Sequence, residues 1–561
     1  MTGIAAQDFV SRHAGTLERA LTAISERGYW SAFPESPSPR VYGEGAAEAG
    51  RAAYEAHLGR RFELDQAGTV GWVGAERSPY GPELGISYPR ADLDALLASA
   101  QAAIPAWRDA GPRVRAAVCV EIVQRINARS FEIASAVMHT SGQAFVMAFQ
   151  AGGPHAQDRA LEAVAYAYAE QTRVPVTARW EKPQGKRPAL VMEKTYTVVP
   201  RGVALVVGCT TFPTWNSYPG LFASLATGNA VVVKPHPAAI LPLAVTVSIA
   251  RDVLAEAGFA RDLVTLVAEE PGGRVASELA TRPEVRIVDF TGSTAYGDWL
   301  EDNARQAAVY TEKAGVNAVV VDSTDDYAGM LANLAFSLSL YSGQMCTTPQ
   351  NLLVPRDGVA TGDGRRSVDE LARDLGAAID RLLGEDAQAV ELLGAIVNDD
   401  VLSRVDGAGA LGEVVVPART VPHPAFPDAR VRTPVVVRVS ADGSEAYGSE
   451  CFGPVAFLVT TDSTDQSLEV FRRTAATRGA LTASVYSTDD KVVARAREAA
   501  LDAGVALSEN LTGGVYVNQS AAFSDFHATG ANPAANAAYT DAHFVAGRFR
   551  VVQSRRHLPA G

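Results

Sequence analysis

A chain of 561 residues, 47% of them apolar and with mean hydropathy near zero, is long enough for about two or three packed units with cores of their own. Its formal charge of −13 and pI near 5.3 argue against a phosphate-backbone partner, so no nucleic acid is expected, although a local basic patch is compatible with a phosphorylated ligand. The opening MTGIAAQDFVSRHAG has no charged region leading into an apolar one, no run reaches the roughly 18 apolar residues of a membrane span, and the four cysteines form no CxxC pair; these features predict a cytoplasmic protein without membrane contact, disulfide framework or bound metal.

Residues 1–90 read as an N-terminal extension of unknown role, with an amphipathic stretch near Phe9 to Arg27 and then the loop-forming SAFPESPSPRVYGEG. Residues 91–310 read as one α/β domain. It begins with helices from Asp92 to Glu170, where Ala117, Val120, Ile122, Val123 and Ile126 recur at helical spacing and Gly152-Gly153-Pro154 signals an interruption. An extended arm at about 176–200 follows, and then short β-branched runs alternate with helical stretches: ALVVG (204–208), AVVVKP (230–235), LVTLV (263–267) and VRIVDFTG (285–292). Alternation of this kind implies a parallel sheet with ligands at the carboxyl ends of its strands. A second alternating set, NAVVVD (317–322), LLVP (352–355), VVVR (435–438), VAFLVTT (455–461) and ASVYS (483–487), places another α/β domain at 311–517. Residues 518–561 form a tail ending in FRVVQS, an alternating run suited to pairing with another strand or another subunit.

The string Gly407-Ala-Gly409-Ala-Leu-Gly412 has the GxGxxG form but follows a helical pattern and precedes the strand-like EVVV, the reverse of the order that phosphate binding requires. Four other strings carry the chemistry: VVVKPHP (231–237), FTGST (290–294), YTEKAG (310–315) with SGQMCT (342–347), and SECFGP (449–454). Singly, each has an ordinary reading as a loop end, a capped turn, a core cysteine or a surface carboxylate. Their order, and the interval 346 − 312 = 34 between Glu312 and Cys346, resemble the aldehyde dehydrogenase superfamily over about residues 100–545.

That resemblance implies an aldehyde dehydrogenase-like α/β fold, with a Rossmann-type cofactor domain, a catalytic domain and a small oligomerisation element. It also implies a reaction. Cys346 attacks an aldehyde to give a thiohemiacetal, hydride passes to a nicotinamide, and Glu312 activates water to hydrolyse the thioester. Gly292 and Ser293 match the turn that holds the pyrophosphate, Glu450 and Phe452 the residues at the nicotinamide ribose and ring, and Lys234 the contact to the adenosine ribose. NAD-preferring members place a Glu three residues after that Lys; here the position is Pro237, and with Lys234 and His236 at hand the expectation is NADP, with NAD possible.

The sequence departs from the family at the oxyanion site, where the usual Asn is replaced by Thr211; Asn216, five residues on, is the candidate substitute. A Trp-Lys pair reads Pro219-Gly220, and the usual Gly-rich C-terminal signature reads SDFHATGANPAANAAYTD (524–541). CTTFPTWNSYPG, MCTTPQN, DFHATGANPAAN and RFRVVQSRR resemble the PaaN-type phenylacetic acid degradation proteins. That branch implies a CoA-linked semialdehyde, 3-oxo-5,6-didehydrosuberyl-CoA semialdehyde, as substrate, and a homodimer or homotetramer. A ring-cleaving hydrolase on the same fold and a non-catalytic pathway scaffold are the alternatives.

Overall fold

Runs such as VALVV and AVVVK are apolar without alternation because a parallel strand is covered on both faces. In the computed structural model, which describes residues 4–313 and 315–559, they become the centre of a five-stranded parallel sheet. Its order is Val264–Leu266, Ala230–Lys234, Val203–Val207, Val285–Gly292, Ala308–Lys313. The chain moves outward from Val203–Val207 in one direction, then returns to build Val285–Gly292 on the other side. The carboxyl ends of these two strands therefore form a topological switch point, where a crevice opens.

The second sheet has seven strands in the order Glu413–Val416, Val435–Ser440, Val455–Thr461, Asn351–Pro355, Ala318–Val321, Thr482–Tyr486, Ala506–Glu509. All neighbours are parallel except the first pair. Thr177–Gln184 and Arg187–Pro200 form the expected arm, and Phe549–Leu558 pairs with it antiparallel, as the alternation in FRVVQS predicts. Among the described residues no helix is long and apolar enough to cross a membrane.

Two expectations need correction. Residues 1–90 are not a detached extension: the helix Ile4–Glu26 buries Phe9, Leu17 and Ala20 in the same core as the helices Gly111–Ala128 and Ala156–Thr172. His13 meets Glu121 at 2.6 Å and Arg27 meets Glu162 at 3.3 Å, while buried Glu76 accepts the N–H groups of Ile240 (2.5 Å) and Leu241 (3.1 Å) at the start of the helix Leu241–Glu256. Periodicity shows a helix's apolar face and not its partner. The proposed boundary at 310/311 falls inside the strand Ala308–Lys313, whose residues pair from Ala308 to Lys313 with Ile287 to Gly292, so the first sheet ends after Lys313. Gly152-Gly153-Pro154 interrupts the helices as expected: a π turn over Ala151–His155, in which Gly153 leaves helical backbone (φ −105°, ψ −107°), separates Phe145–Gln150 from Ala156–Thr172. The Gly152 carbonyl accepts the Thr214 hydroxyl at 2.9 Å, which ties the kink to the helix bearing Asn216.

Candidate active site

Cys346 follows the helix Tyr327–Ser339 through a turn in which Tyr341, Ser342 and Gly343 have φ of 54°, 49° and 63°. Two non-glycine residues in this left-handed region cost on the order of 1 kcal/mol or more each, so the surroundings must impose it. They do: the Tyr341 hydroxyl donates to the Ser141 carbonyl, the Ser342 hydroxyl reaches the carbonyls of Leu393 (3.1 Å) and Arg432 (3.2 Å), and a Cβ at position 343 would lie 2.4 Å from the Gly453 oxygen. Asn317, at the entrance to the second sheet, donates to the carbonyls of Cys346 (2.8 Å) and Thr348 (3.0 Å) and accepts from the N–H groups of Leu481 and Thr482. The cysteine is thus fixed to the second sheet.

Glu312 belongs to the first sheet, near the carboxyl end of its edge strand, and is 1% exposed. Its Oε1 accepts from Asn216 Nδ2 (3.3 Å) and lies 3.1 Å from His527 Nε2, while Oε2 has no hydrogen-bond partner. His527 Nε2 is also 3.9 Å from Cys346 Sγ. The sulfur, the Glu312 carboxylate and the imidazole nitrogen all lie within 4.8 Å of one another. Burial, and then the adjacent Glu312 carboxylate, push the Cys346 thiol well above its usual range, so a resting thiol needs help to ionise.

The two candidate oxyanion donors differ. Asn216 stands in the first turn of the helix Pro213–Ala226 and spends one of its two amide N–H groups on Glu312, leaving the other for a carbonyl oxygen. Thr211 also lines the cleft, but its hydroxyl lies against the Cys209 thiol and its carbonyl accepts from Gln143 Nε2 at 2.7 Å, so its one hydroxyl proton is already shared.

From this floor a cleft of about 1270 Å³ runs along the switch point to Lys234, His236 and Pro237. Sites for a single small ligand span about 300–1,000 Å³, so this one has room for a dinucleotide and an aldehyde together. Gly292 ends the strand Val285–Gly292 and exposed Ser293 opens the helix Thr294–Asn303, the strand, turn, helix order that offers N–H groups to a pyrophosphate. Glu450 and Phe452 line the cleft on the Cys346 side, and removal from solvent, opposed by Arg404, pushes the Glu450 carboxyl up to about 7. These residues fit a pyridine dinucleotide.

At the far end the structure adds a carboxylate. Glu269 forms an ion pair with the Lys234 ammonium, and its Oε2 accepts the Val275 N–H at 2.9 Å; both side chains line the cleft and are buried. His236 Nδ1 accepts the Ala238 N–H, which puts the proton of a neutral ring on Nε2. The expectation of NADP rested on there being no carboxylate beside Lys234, and that premise does not hold.

His527, Glu269 and Asn317 are thus the residues that motif reading passed over. Their only signals are a His inside an atypical C-terminal string, a Glu just beyond the LVTLV run and the Asn that opens NAVVVD. Cys346, Glu312 and Asn216 meet at the floor, and Lys234, His236, Pro237, Gly292, Ser293, Glu450 and Phe452 line the cleft above it.

An NAD-dependent aldehyde dehydrogenase from Burkholderia multivorans has a solved structure with 60% sequence identity and a TM-score of 0.98, with both chains covered completely. Succinate-semialdehyde dehydrogenase of Paenarthrobacter nicotinovorans is 27% identical over 420 residues, 72% of this chain and 85% of that one. The fold is shared by 1-pyrroline-5-carboxylate dehydrogenase from Thermus with bound NAD, at 18% identity and TM-score 0.70, covering 95% of this chain and 99% of that one. The family model described as aldehyde dehydrogenase family matches residues 87–536, and this chain, an NAD(P)-dependent aldehyde dehydrogenase, belongs to that family.

Proposed function

We propose that the chain oxidises an aldehyde to its carboxylic acid through a thioester on Cys346, with Glu312 as the base that activates water. The observation that carries this reading is the meeting, on a single cleft floor, of a cysteine tied to one sheet through Asn317 and a carboxylate from the edge strand of the other. Cys346 Sγ bonds to the carbonyl carbon, and the second N–H of Asn216 and the Cys346 backbone N–H are the donors for the resulting alkoxide. A bound nicotinamide supplies the hydride acceptor. Glu312 then takes a proton from water as the water oxygen bonds to the acyl carbon, and the C–S bond breaks to return the thiolate.

The substrate proposed is a CoA-linked semialdehyde of the phenylacetate-degradation type, from the branch resemblance. Phe212, Leu340 and Tyr341 form an apolar cluster beside the cysteine turn, with Met147, Trp215 and Phe336 packed against it, which suits an aldehyde with an apolar carbon chain. For the cofactor, Glu269 favours NAD: a carboxylate held on Lys234 accepts from a ribose 2′-hydroxyl and repels a 2′-phosphate. Pro237 and the nearby His236 support NADP as the second reading. The arm and the last strand expose Val176, Leu190, Val551 and Val552, a surface suited to a homodimer or homotetramer.

Absorbance at 340 nm with a panel of aromatic, aliphatic and CoA-linked aldehydes, with each cofactor, tests the reading against a Cys346→Ser control. Reduced cofactor that appears only with intact Cys346 supports it. If no aldehyde reduces either cofactor while a ring-opened CoA ester is still consumed, the hydrolase alternative replaces it.

A further inference from the structure

Nothing in the thioester scheme uses His527, yet among the described residues its imidazole is the basic ring in contact with both proposed catalytic side chains. The side chain is 5% exposed, with Nε2 at 3.1 Å from Glu312 Oε1 and 3.9 Å from Cys346 Sγ. The segment that carries it is held on both sides. Its N–H and carbonyl exchange bonds with Tyr539 (3.1 and 2.9 Å), closing a loop over 527–539. That loop runs beside the Glu312 strand: Lys313 N–H donates to Ala534 O (2.6 Å), Asn536 N–H to Thr311 O (3.1 Å), and Thr311 N–H to Asn536 Oδ1 (2.8 Å). Asn532 bonds the Ala480 carbonyl (2.9 Å) and the Gly504 carbonyl (2.8 Å) of the other domain. The Trp215 ring packs edge-on against the imidazole at 4.6 Å and the Tyr539 ring stacks at 6.2 Å, which fixes the ring plane.

We infer that His527 is a catalytic base for the nucleophile: it takes the Cys346 proton on Nε2, and the resulting imidazolium lies between the thiolate and the Glu312 carboxylate. The balance is simple. In the neutral ring with its proton on Nδ1, Nε2 and Glu312 Oε1 are two acceptors 3.1 Å apart, a contact that a proton between them relieves; the S–H bond breaks, its proton forms that Nε2–H bond, and the electron pair stays on sulfur. Nε2–H then donates to Glu312 Oε1 and faces the sulfur. When the C–S bond of the thioester breaks after hydrolysis, the departing thiolate is again paired with this ring. Two potential anions otherwise share a buried floor without a cation, an arrangement that by itself holds the thiol protonated. The other groups bearing on this ring are the Tyr539 phenol and, behind Trp215, the Arg159 guanidinium, 5.4 Å from the indole; Cys209 and Glu450 act on Cys346 from further along the cleft.

The inference rests on Cys346 being the nucleophile, and the test separates the two. Full-length enzyme without cofactor is alkylated with iodoacetamide between pH 5.5 and 9.5, and the Cys346 peptide is followed by mass spectrometry in wild type, His527→Asn and His527→Gln. A thiol of ordinary pKa, about 8.5, is only about 1% thiolate at pH 6.5. Wild type should therefore keep a reactive plateau below pH 7, and the variants should lose roughly 10-fold to 100-fold of that rate while approaching wild type above pH 9. Coincident profiles in wild type and variants overturn the inference. If neither variant folds by circular dichroism, the wild-type profile decides: a plateau below pH 7 supports the ion pair, and reactivity that rises only above pH 8 rejects it. Turnover lost in Cys346→Ser tests the nucleophile itself, independently of either profile.

Discussion

The two ends of the cleft are built by different means. At the proposed cofactor end, Lys234, Gly292 and Ser293 stand at or just beyond the carboxyl ends of strands in one sheet, and much of what is offered to a ligand is backbone: a tight turn, a helix start and the crevice of the switch point. At the chemical end the fold supplies only position. Cys346 comes from the second sheet, Glu312 from the edge of the first, and His527 from a late segment stitched to both, an interval of 527 − 312 = 215 residues. A dinucleotide needs donors at fixed spacing, which strand–turn–helix units repeat at little cost. Proton chemistry needs particular side chains within a hydrogen bond of each other, and those have to be brought from distant parts of the chain.

If that contrast is right, damage at the chemical end should stop turnover and spare cofactor binding, while damage at the other end should redirect cofactor choice and spare the thiol. The largest effect is expected for Cys346→Ser, which should lower aldehyde-dependent kcat on the order of 10⁴-fold or more with the NAD dissociation constant, read by fluorescence quenching, changed little. Glu312→Gln should cost about 10²-fold to 10⁴-fold in steady state and leave a first-turnover burst of reduced cofactor, because hydride leaves before water attacks. Equal loss of burst and steady state would place Glu312 in the first half of the reaction.

At the cofactor end, Glu269→Gln removes a charge-assisted acceptor and frees Lys234, so the NADP/NAD ratio of kcat/KM should rise about 10-fold to 100-fold. Alkylation of Cys346 should not change, and an unmoved ratio would return the choice to Pro237 and His236. The smallest effect concerns Glu450, whose carboxyl is raised to about 7. A ribose hydroxyl donates more strongly to the ionised form, so NAD affinity should rise about fivefold as pH climbs from 6 to 8, and Glu450→Gln should flatten that dependence. A profile that stays steep in the variant assigns the titration elsewhere.

The same contrast explains which parts of the molecule were legible in its sequence. The central strands were readable because a sheet covered on both faces demands unbroken runs such as VALVV and AVVVK, and the Glu312–Cys346 interval was readable because both residues sit in short contiguous strings. Glu269 was hidden because its carboxylate reaches Lys234 from beyond the end of a neighbouring strand, 269 − 234 = 35 residues on in sequence and not at the offset of three. His527 was hidden because its reach depends on a loop whose register is set by backbone bonds to Thr311 and Lys313 and by two asparagines, Asn532 and Asn536, whose partners lie far off in sequence. The partner of the amphipathic helix Ile4–Glu26 was hidden for a related reason: an apolar stripe fits any complementary surface.

The segment stitched across both sheets also sets an order of events in time. Every strand of the five- and seven-stranded sheets precedes His527, so a chain emerging from the ribosome can complete its cleft and its cysteine turn while the imidazole is still unmade. With His527 as the base, the nucleophile is armed last, and an unfinished chain carries its thiol protonated among the solutes of the cell.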